Sequence, residues 1–449
     1  MLPDATVAAP PSLLRNTRYL TWLISDTSKG LAAALFSFAV PLLALIVTND
    51  PARAGIIGAV ALAVRALTTL AGGVIADRYR RIALMVLGSS VGVVIAGSFT
   101  LLALRDALTF TTLLVVAVGL AARTGLFDVA GESALKEVVP DGAMGRAQAA
   151  NQGRDAVLQL AGGPLGGALL AVGGWVVGAA MTACHLIAAV AAWWLGRSSR
   201  AAEANPAPEA HPPTDPDVPA TPAAGTATAG ARAPERNALA ELRAGFAWLL
   251  SRTDLRGVLL VSTIINLGFN AAITTVVYAL QQDGQSPAAI GWVSAGAGAA
   301  MLLGAVVAPM LVSRVPAGAL TIVGLTVAAV GAYSLSLVDS VWAITAVLAA
   351  SVLAVPALNA ALMGYFMVAT PSELLGRANS ASMVLGIGAM PLGPLIAGFG
   401  LAWIGREGTI AVCAALCAVA TLLAITNRGL RALPAESGWT AHAARFGTS

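Results

Sequence analysis

The chain has 449 residues, of which 57% are apolar and only 11% charged, with a formal net charge of +4 and a mean hydropathy of +0.81. That balance lies far outside the range of soluble globular domains and places the chain in a membrane. The Lys and Arg residues form no basic patch with interleaved aromatics, which excludes a nucleic-acid binder. No short segments of alternating polarity occur, which excludes a transmembrane barrel.

Residues 1–18 have no apolar core and no cleavage pattern, and read as a cytoplasmic tail retained in the mature protein. Beyond them, runs of about 20 apolar residues, each enough for one helical crossing, follow one another. Twelve spans are predicted, near residues 19–47, 55–76, 82–104, 108–133, 147–171, 174–196, 257–280, 288–312, 317–337, 341–367, 376–402 and 406–426. With both termini inside, the outer loops hold only Arg53, Arg105 and Arg406, so most of the 26 basic residues lie on the cytoplasmic side. Arg78, Arg80 and Arg81 then form the short inner loop between spans 2 and 3.

Residues 197–240 are rich in Pro, Ala, Thr and acids and bury too little apolar surface to order themselves, so they read as a disordered cytoplasmic linker. Leu239, Leu242, Phe246 and Leu249 or Leu250 then recur at helical spacing opposite Glu241, Arg243 and Arg252. The spacing predicts an amphipathic interfacial helix over 241–256. The linker divides the spans into a first bundle, 19–196, and a second, 257–426, followed by a cytoplasmic tail, 427–449.

The halves echo each other. Pro140, Gly145 and Arg146 answer to Pro371, Gly376 and Arg377, at an offset of 231 residues; Gly163 and Pro164 answer to Gly393 and Pro394, at 230. Such repetition predicts an all-α membrane protein of twelve transmembrane helices in two pseudo-symmetric six-helix bundles, with a site near the bilayer midplane between them.

Gly73-x-x-x-Asp77-Arg78-x-x-Arg81, in the loop after span 2, resembles the signature loop of the major facilitator superfamily. Arg80 stands where that signature usually has glycine and, with the stretch FDVAGESALKEVVP at 127–140, resembles the drug:proton antiporter branch of macrolide-efflux and enterobactin-type catecholate siderophore exporters. Gly163-Pro164-Leu165-Gly166-Gly167 resembles the antiporter signature of span 5, one residue shorter than usual. The second-half counterpart of the loop, from Gly304, lacks the acid. The resemblance implies proton-coupled export by alternating access. It also implies a conformational latch at Gly73, Asp77, Arg78 and Arg81, with gating at Gly163, Pro164, Gly393 and Pro394. A topology marker and helix cap at Asp77, and close packing with tolerated kinks at the Gly-Pro pairs, are the structural alternatives.

Ionisable side chains inside a membrane are costly and are retained for work or in pairs. The first half holds Asp26 and Lys29 on span 1, Arg65 on span 2, Arg123, Asp128 and Glu132 on span 4, and Arg154 and Asp155 on span 5. The second half offers amides, Asn266 and Asn270 on span 7 and Asn359 on span 10. Spans 4 and 5 run antiparallel about a turn near Asp141, so equal distances from it pair Asp128 with Arg154; Asp26 and Lys29, three apart, form a second pair. Either the pairs only neutralise each other, or Asp26, Asp128, Glu132 or Asp155 carries a proton, Asp26 being the first choice. The remaining polar groups, Lys29, Arg65, Arg123, Arg154, Asn266, Asn270 and Asn359, are expected to line the substrate cavity.

His185, alone among apolar neighbours, reads as a packing residue, and Trp193 with Trp194 as an interfacial belt. Cys184, Cys413 and Cys417 fall in spans and suit packing. Neither a metal site nor a phosphate-binding loop is indicated, so no cofactor is expected and the proton gradient supplies the drive. The expected partners are protons, the bilayer and a small hydrophobic or amphipathic substrate, with the protein acting as a monomer. A lysophospholipid or other lipid transporter of the same fold is the alternative. A membrane enzyme would need a convergent nucleophile, base or metal cluster, and the sequence has none; a sensor using the linker as a docking arm is a further class. The excess of Arg over Lys, with abundant Ala and Gly, fits a bacterial cytoplasmic membrane.

Overall fold

A computed structural model describes residues 15–140, 143–204, 238–371, 374, 378, 381, 382, 384, 386 and 388–445. The expected tail up to residue 14, most of the linker, and Gly376 and Arg377 of the repeat lie outside the described residues. The described secondary structure is helical throughout, without strands among these residues. Six helices form the first half: α1 (Thr17–Thr48), α2 (Pro51–Arg78), α3 (Arg81–Leu104), α4 (Phe110–Val138), α5 (Met144–Val172) and α6 (Gly174–Ala204). The second half comprises α7 (Ala238–Ser251), α8 (Thr253–Gln282), α9 (Pro287–Arg314), α10 (Ala317–Ser334), α11 (Val341–Val352), α12 (Val355–Ala369) and α13 (Leu392–Thr426). Short segments, α14 (Arg428–Arg431), a 3-10 turn (Glu436–Gly438) and α15 (Trp439–Ala444), follow.

Among the described residues eleven helices are long and apolar enough to cross a membrane. The last of them, α13, is two legs, which hold parts of the eleventh and twelfth expected spans. Gly405, at φ 69° and ψ −174°, leaves the helical region, and a Cβ on Gly400 would fall 2.5 Å from Thr409 Cγ2, so the legs fold back on each other. The tenth span is also broken, into α11 and α12 at Leu353 and Ala354, just ahead of Pro356, which has no N–H to donate to Val352 O and so interrupts the helical ladder there.

Local chemistry sets the turns on the face away from the termini. Asn49 ends α1 in the left-handed region at φ 48°, Asp50 caps α2 by accepting from Ala52 N and Arg53 N, and Pro51 occupies its first turn. The second half repeats this: Ser286 caps α9 through Ala289 N, with Pro287 next.

The apolar interior is divided unequally. On the face away from the termini one core joins both halves, running from Leu35, Leu42 and Leu45 of α1 to Val276 and Tyr278 of α8, Val293 of α9 and Leu401 of α13. Toward the terminus-bearing face each half has its own core, around Trp22, Met85 and Leu135 in the first and around Leu259, Leu362 and Tyr365 in the second. The halves are therefore closed together at one side and parted at the other.

Candidate functional site

The closed side is built from backbone pressed against backbone. On α5, Gly163 faces α9: its Cβ would lie 2.6 Å from Ser294 Cβ and 3.2 Å from Gly291 O, and one on Gly167 would strike Pro287 O. At the matching seam, Pro394 O of α13 meets Gly55 of α2, and a Cβ on Gly398 would strike Pro51 O. Of the two expected gating pairs, Gly163 and Pro394 are in direct contact with the helix of the other half, whereas Gly393 faces α8 of its own half, where an added Cβ would fall 3.9 Å from Asn270 Cβ. The opposite walls, Pro51, Gly55 and Gly58 against Pro287, Gly291 and Ser294, keep one offset of 236 residues. The sequence reading missed them, although a capped Pro followed four residues later by Gly was visible in both copies.

Toward the termini the helices diverge and polar side chains line the gap. On α5 the row packed on α1 carries Leu158 and Gly162, the row packed on α9 carries Leu160, Gly163 and Gly167, and Gln148, Gln152, Asp155 and Gln159 fall between them, all exposed. On α8, Asn266 and Asn270 are exposed, and Asn270 Nδ2 donates to Asn266 O at 2.8 Å. Asn359 on α12 and Arg65 on α2 are also exposed.

Behind that wall a charge lattice ties α1, α4 and α5. Lys29 Nζ lies 2.8 Å from Asp26 Oδ1 and 3.5 Å from Asp128 Oδ1. Arg154 Nη2 bridges Asp26 Oδ2 and Asp155 Oδ1, each at 2.8 Å, and its guanidinium stacks 5.6 Å over Trp22. Arg123, with a side chain only 2% exposed, reaches Asp128 at 3.1 Å and donates from Nε to Gly88 O at 2.9 Å. Gly131 makes room, since a Cβ there would fall 2.7 Å from Lys29 Nζ, while its carbonyl accepts from Trp22 Nε1 at 2.9 Å.

One expected pair is corrected. Arg154 does not pair with Asp128; it pairs with Asp26 and Asp155, and Asp128 takes Arg123 and Lys29 instead. Counting residues from the turn placed the two groups at one height but not in one direction, and Arg154 lies on the α5 row that packs against α1. Asp26 and Lys29 do pair. Glu132 is exposed, and among the described residues it has neither hydrogen bond nor ion pair.

The loop signature is loosely held in this conformation. Asp77 and Arg78 are exposed at the end of α2, Asp77 without a partner among the described residues. A Cβ on Gly73 would meet nothing within 4 Å, and Arg81 donates to Ser133 O at 3.2 Å and pairs with Glu137 at 3.3 Å. His185, 2% exposed, packs on Gly92. Cys413 and Cys417 are buried. Trp193 and Trp194 are exposed near the end of α6.

Two related helical halves, joined at one face and parted over a polar, charged cleft at the other, have the two-bundle architecture of a membrane transporter. The model of the Major Facilitator Superfamily matches residues 25–255 and 258–444, and the chain belongs to that superfamily, whose members are transporters of small molecules rather than enzymes. The fold is similar to that of a bacterial homologue of the iron transporter ferroportin in its inward-facing state (TM-score 0.64, 13% identity, 92% of this chain and 99% of that chain). It is also similar to a variant of the nucleoside transporter NupG (0.65, 11%, 91% and 100%) and to a bacterial metal transporter (0.61, 14%, 92% and 99%). At these identities the likeness establishes the fold. No curated protein matches the sequence.

Proposed function

We propose that this superfamily member is a proton-coupled exporter of a hydrophobic or amphipathic drug, antibiotic or siderophore-like metabolite, working across a bacterial cytoplasmic membrane with both termini inside. The observation that carries the reading is the unequal core: shared by both halves at one face, separate at the other, with the polar rows of α5 and α8 on the parted side. With cytoplasmic termini this state loads from the cytoplasm, as an exporter requires. Asp77, exposed here, is the latch that engages when the cytoplasmic side closes. Asp26 and Asp128 each sit between two cations, so a proton on either would strand buried positive charge; the gap-facing Glu132 and Asp155 suit proton uptake better.

The test is retention of dyes, macrolides and catecholate siderophores in an efflux-deficient bacterium expressing the chain, with and without a protonophore, beside Asp77→Asn and Glu132→Gln. A nucleoside and ferrous iron join the panel because the structural neighbours named above carry a nucleoside, iron or a metal. Lower retention of a drug or siderophore, restored by the protonophore and by both substitutions, is the expected outcome. No difference for drugs and siderophores shifts the assignment to lysophospholipid or other lipid transport, or to import.

A further inference from the structure

A second site lies outside the transport pathway. Between α1 and α6 a groove of about 470 Å³ opens on the surface of the first half, lined by Thr21, Ile24, Leu186, Ile187, Val190 and Trp194. The lining is apolar apart from the Thr21 hydroxyl, which is spent on Thr17 O at 2.8 Å. Both helices are membrane-spanning, so hydrocarbon covers this face.

The groove has a direction. From Leu186 to Trp194 it follows α6 for about 12 Å, most of the roughly 15 Å depth of one leaflet's hydrocarbon. Its shallow end is the terminus-bearing end of both helices, and there the chemistry changes. Arg197 lies one turn beyond Trp194 on α6. The Arg197 guanidinium sits 4.9 Å over the Trp193 ring, and Trp193 packs edge-on to Trp194 at 5.9 Å. An apolar slot one leaflet deep, closed at headgroup level by indoles and a guanidinium group, matches an acyl chain joined to a negative headgroup.

We infer that the α1–α6 groove is a binding site for one anionic glycerophospholipid of the terminus-side leaflet, its acyl chain along Ile24, Ile187 and Val190 and its phosphate at Arg197. The site is independent of the transported substrate. Because α1 carries Asp26 and Lys29, a lipid seated there braces the helix that holds the charge lattice.

The full-length protein in neutral detergent is titrated with dioleoylphosphatidylglycerol or dioleoylphosphatidylcholine, and bound lipid is read by native mass spectrometry. Preference for phosphatidylglycerol of roughly tenfold or more is expected. Arg197→Gln weakens phosphatidylglycerol roughly fivefold while leaving phosphatidylcholine unchanged. Ala191 also lines the groove, and Ala191→Trp, which fills it, weakens both. Where the groove-filling variant fails to fold, brominated phosphatidylglycerol is expected to quench a part of the tryptophan emission that the double substitution Trp193→Phe, Trp194→Phe removes, and quenching unchanged by that substitution overturns the assignment. Excess glycerol 3-phosphate leaves the lipid bound. Equal binding of the two lipids, a preference that Arg197→Gln leaves undiminished, or displacement by glycerol 3-phosphate overturns the assignment.

Discussion

Asp26 bridges two helices. One oxygen lies 2.8 Å from Lys29 on its own helix and the other 2.8 Å from Arg154 on α5, and the side chain is 7% exposed. Removing one member of a buried pair leaves an uncompensated charge and costs about 3–5 kcal/mol, whereas removing both members together costs much less. Asp26→Asn therefore lowers the thermal midpoint strongly, and adding Arg154→Gln recovers part of the loss. The measurement is a double-mutant cycle by thermal unfolding in detergent, with a coupling of about 2–3 kcal/mol expected. A coupling near zero would mean that Arg154 is anchored by Asp155, its other 2.8 Å partner. Asp155 is half exposed at 54%, and a solvated pair contributes little, which favours Asp26 as the anchor.

At the scale of elements, the expected tail 427–449 is packed structure from Asn427 to Arg445. Leu430, Leu433 and Trp439 are buried, Ala317 N and Gly318 N donate to Pro434 O and Leu433 O, and Trp439 Nε1 donates to Pro434 O at 3.1 Å. Gly364 of α12 leaves the slot for the indole, since a Cβ there would fall 2.6 Å from the ring, and His442 meets Tyr365 edge-on. Truncating a buried Trp to Ala costs about 3–5 kcal/mol, comparable to what holds a short segment in place. Trp439→Ala is thus expected to release the segment and speed trypsin cleavage at Arg428 and Arg431 at least tenfold, with the helices of the second half unaffected. Cleavage at the unsubstituted rate would show that Leu430 and Leu433 suffice. The spans and the turn near Gly405 were legible because hydrocarbon thickness dictates run length and composition marks each end. The docked segment was not legible, because its composition is polar and its contacts, such as Trp439 on Gly364 and His442 on Tyr365, come from residues 75 or more positions earlier. The break in the tenth span was marked by Pro356, but the apolar run passes through it.

For the whole molecule, pseudo-symmetry makes two local contacts equivalent. The α5–α9 and α2–α13 seams pair equivalent residues, Gly167 with Pro287 and Gly398 with Pro51, at offsets of 231 and 236 residues along the two sides. The repeated sequence showed one side of each seam; the other side and the state of closure depend on how the halves meet, which periodicity does not encode. Because these contacts are backbone on backbone, an added side chain has no rotamer that relieves it, and rigid halves transmit the displacement to the far face. Gly167→Val should hold the closed face open and bring the parted face together. Spin labels at Val172 and Ser286 report the first face and labels at Gln148 and Met310 the second, all at positions exposed in this state. The first distance is expected to lengthen and the second to shorten, each by on the order of 10 Å, about one helix-to-helix spacing. Gly398→Val, at the other seam, should produce the same reciprocal change. Lengthening at one face with no change at the other would mean that the halves bend at the seam instead of rocking, and alternating access would then have to be carried by single helices.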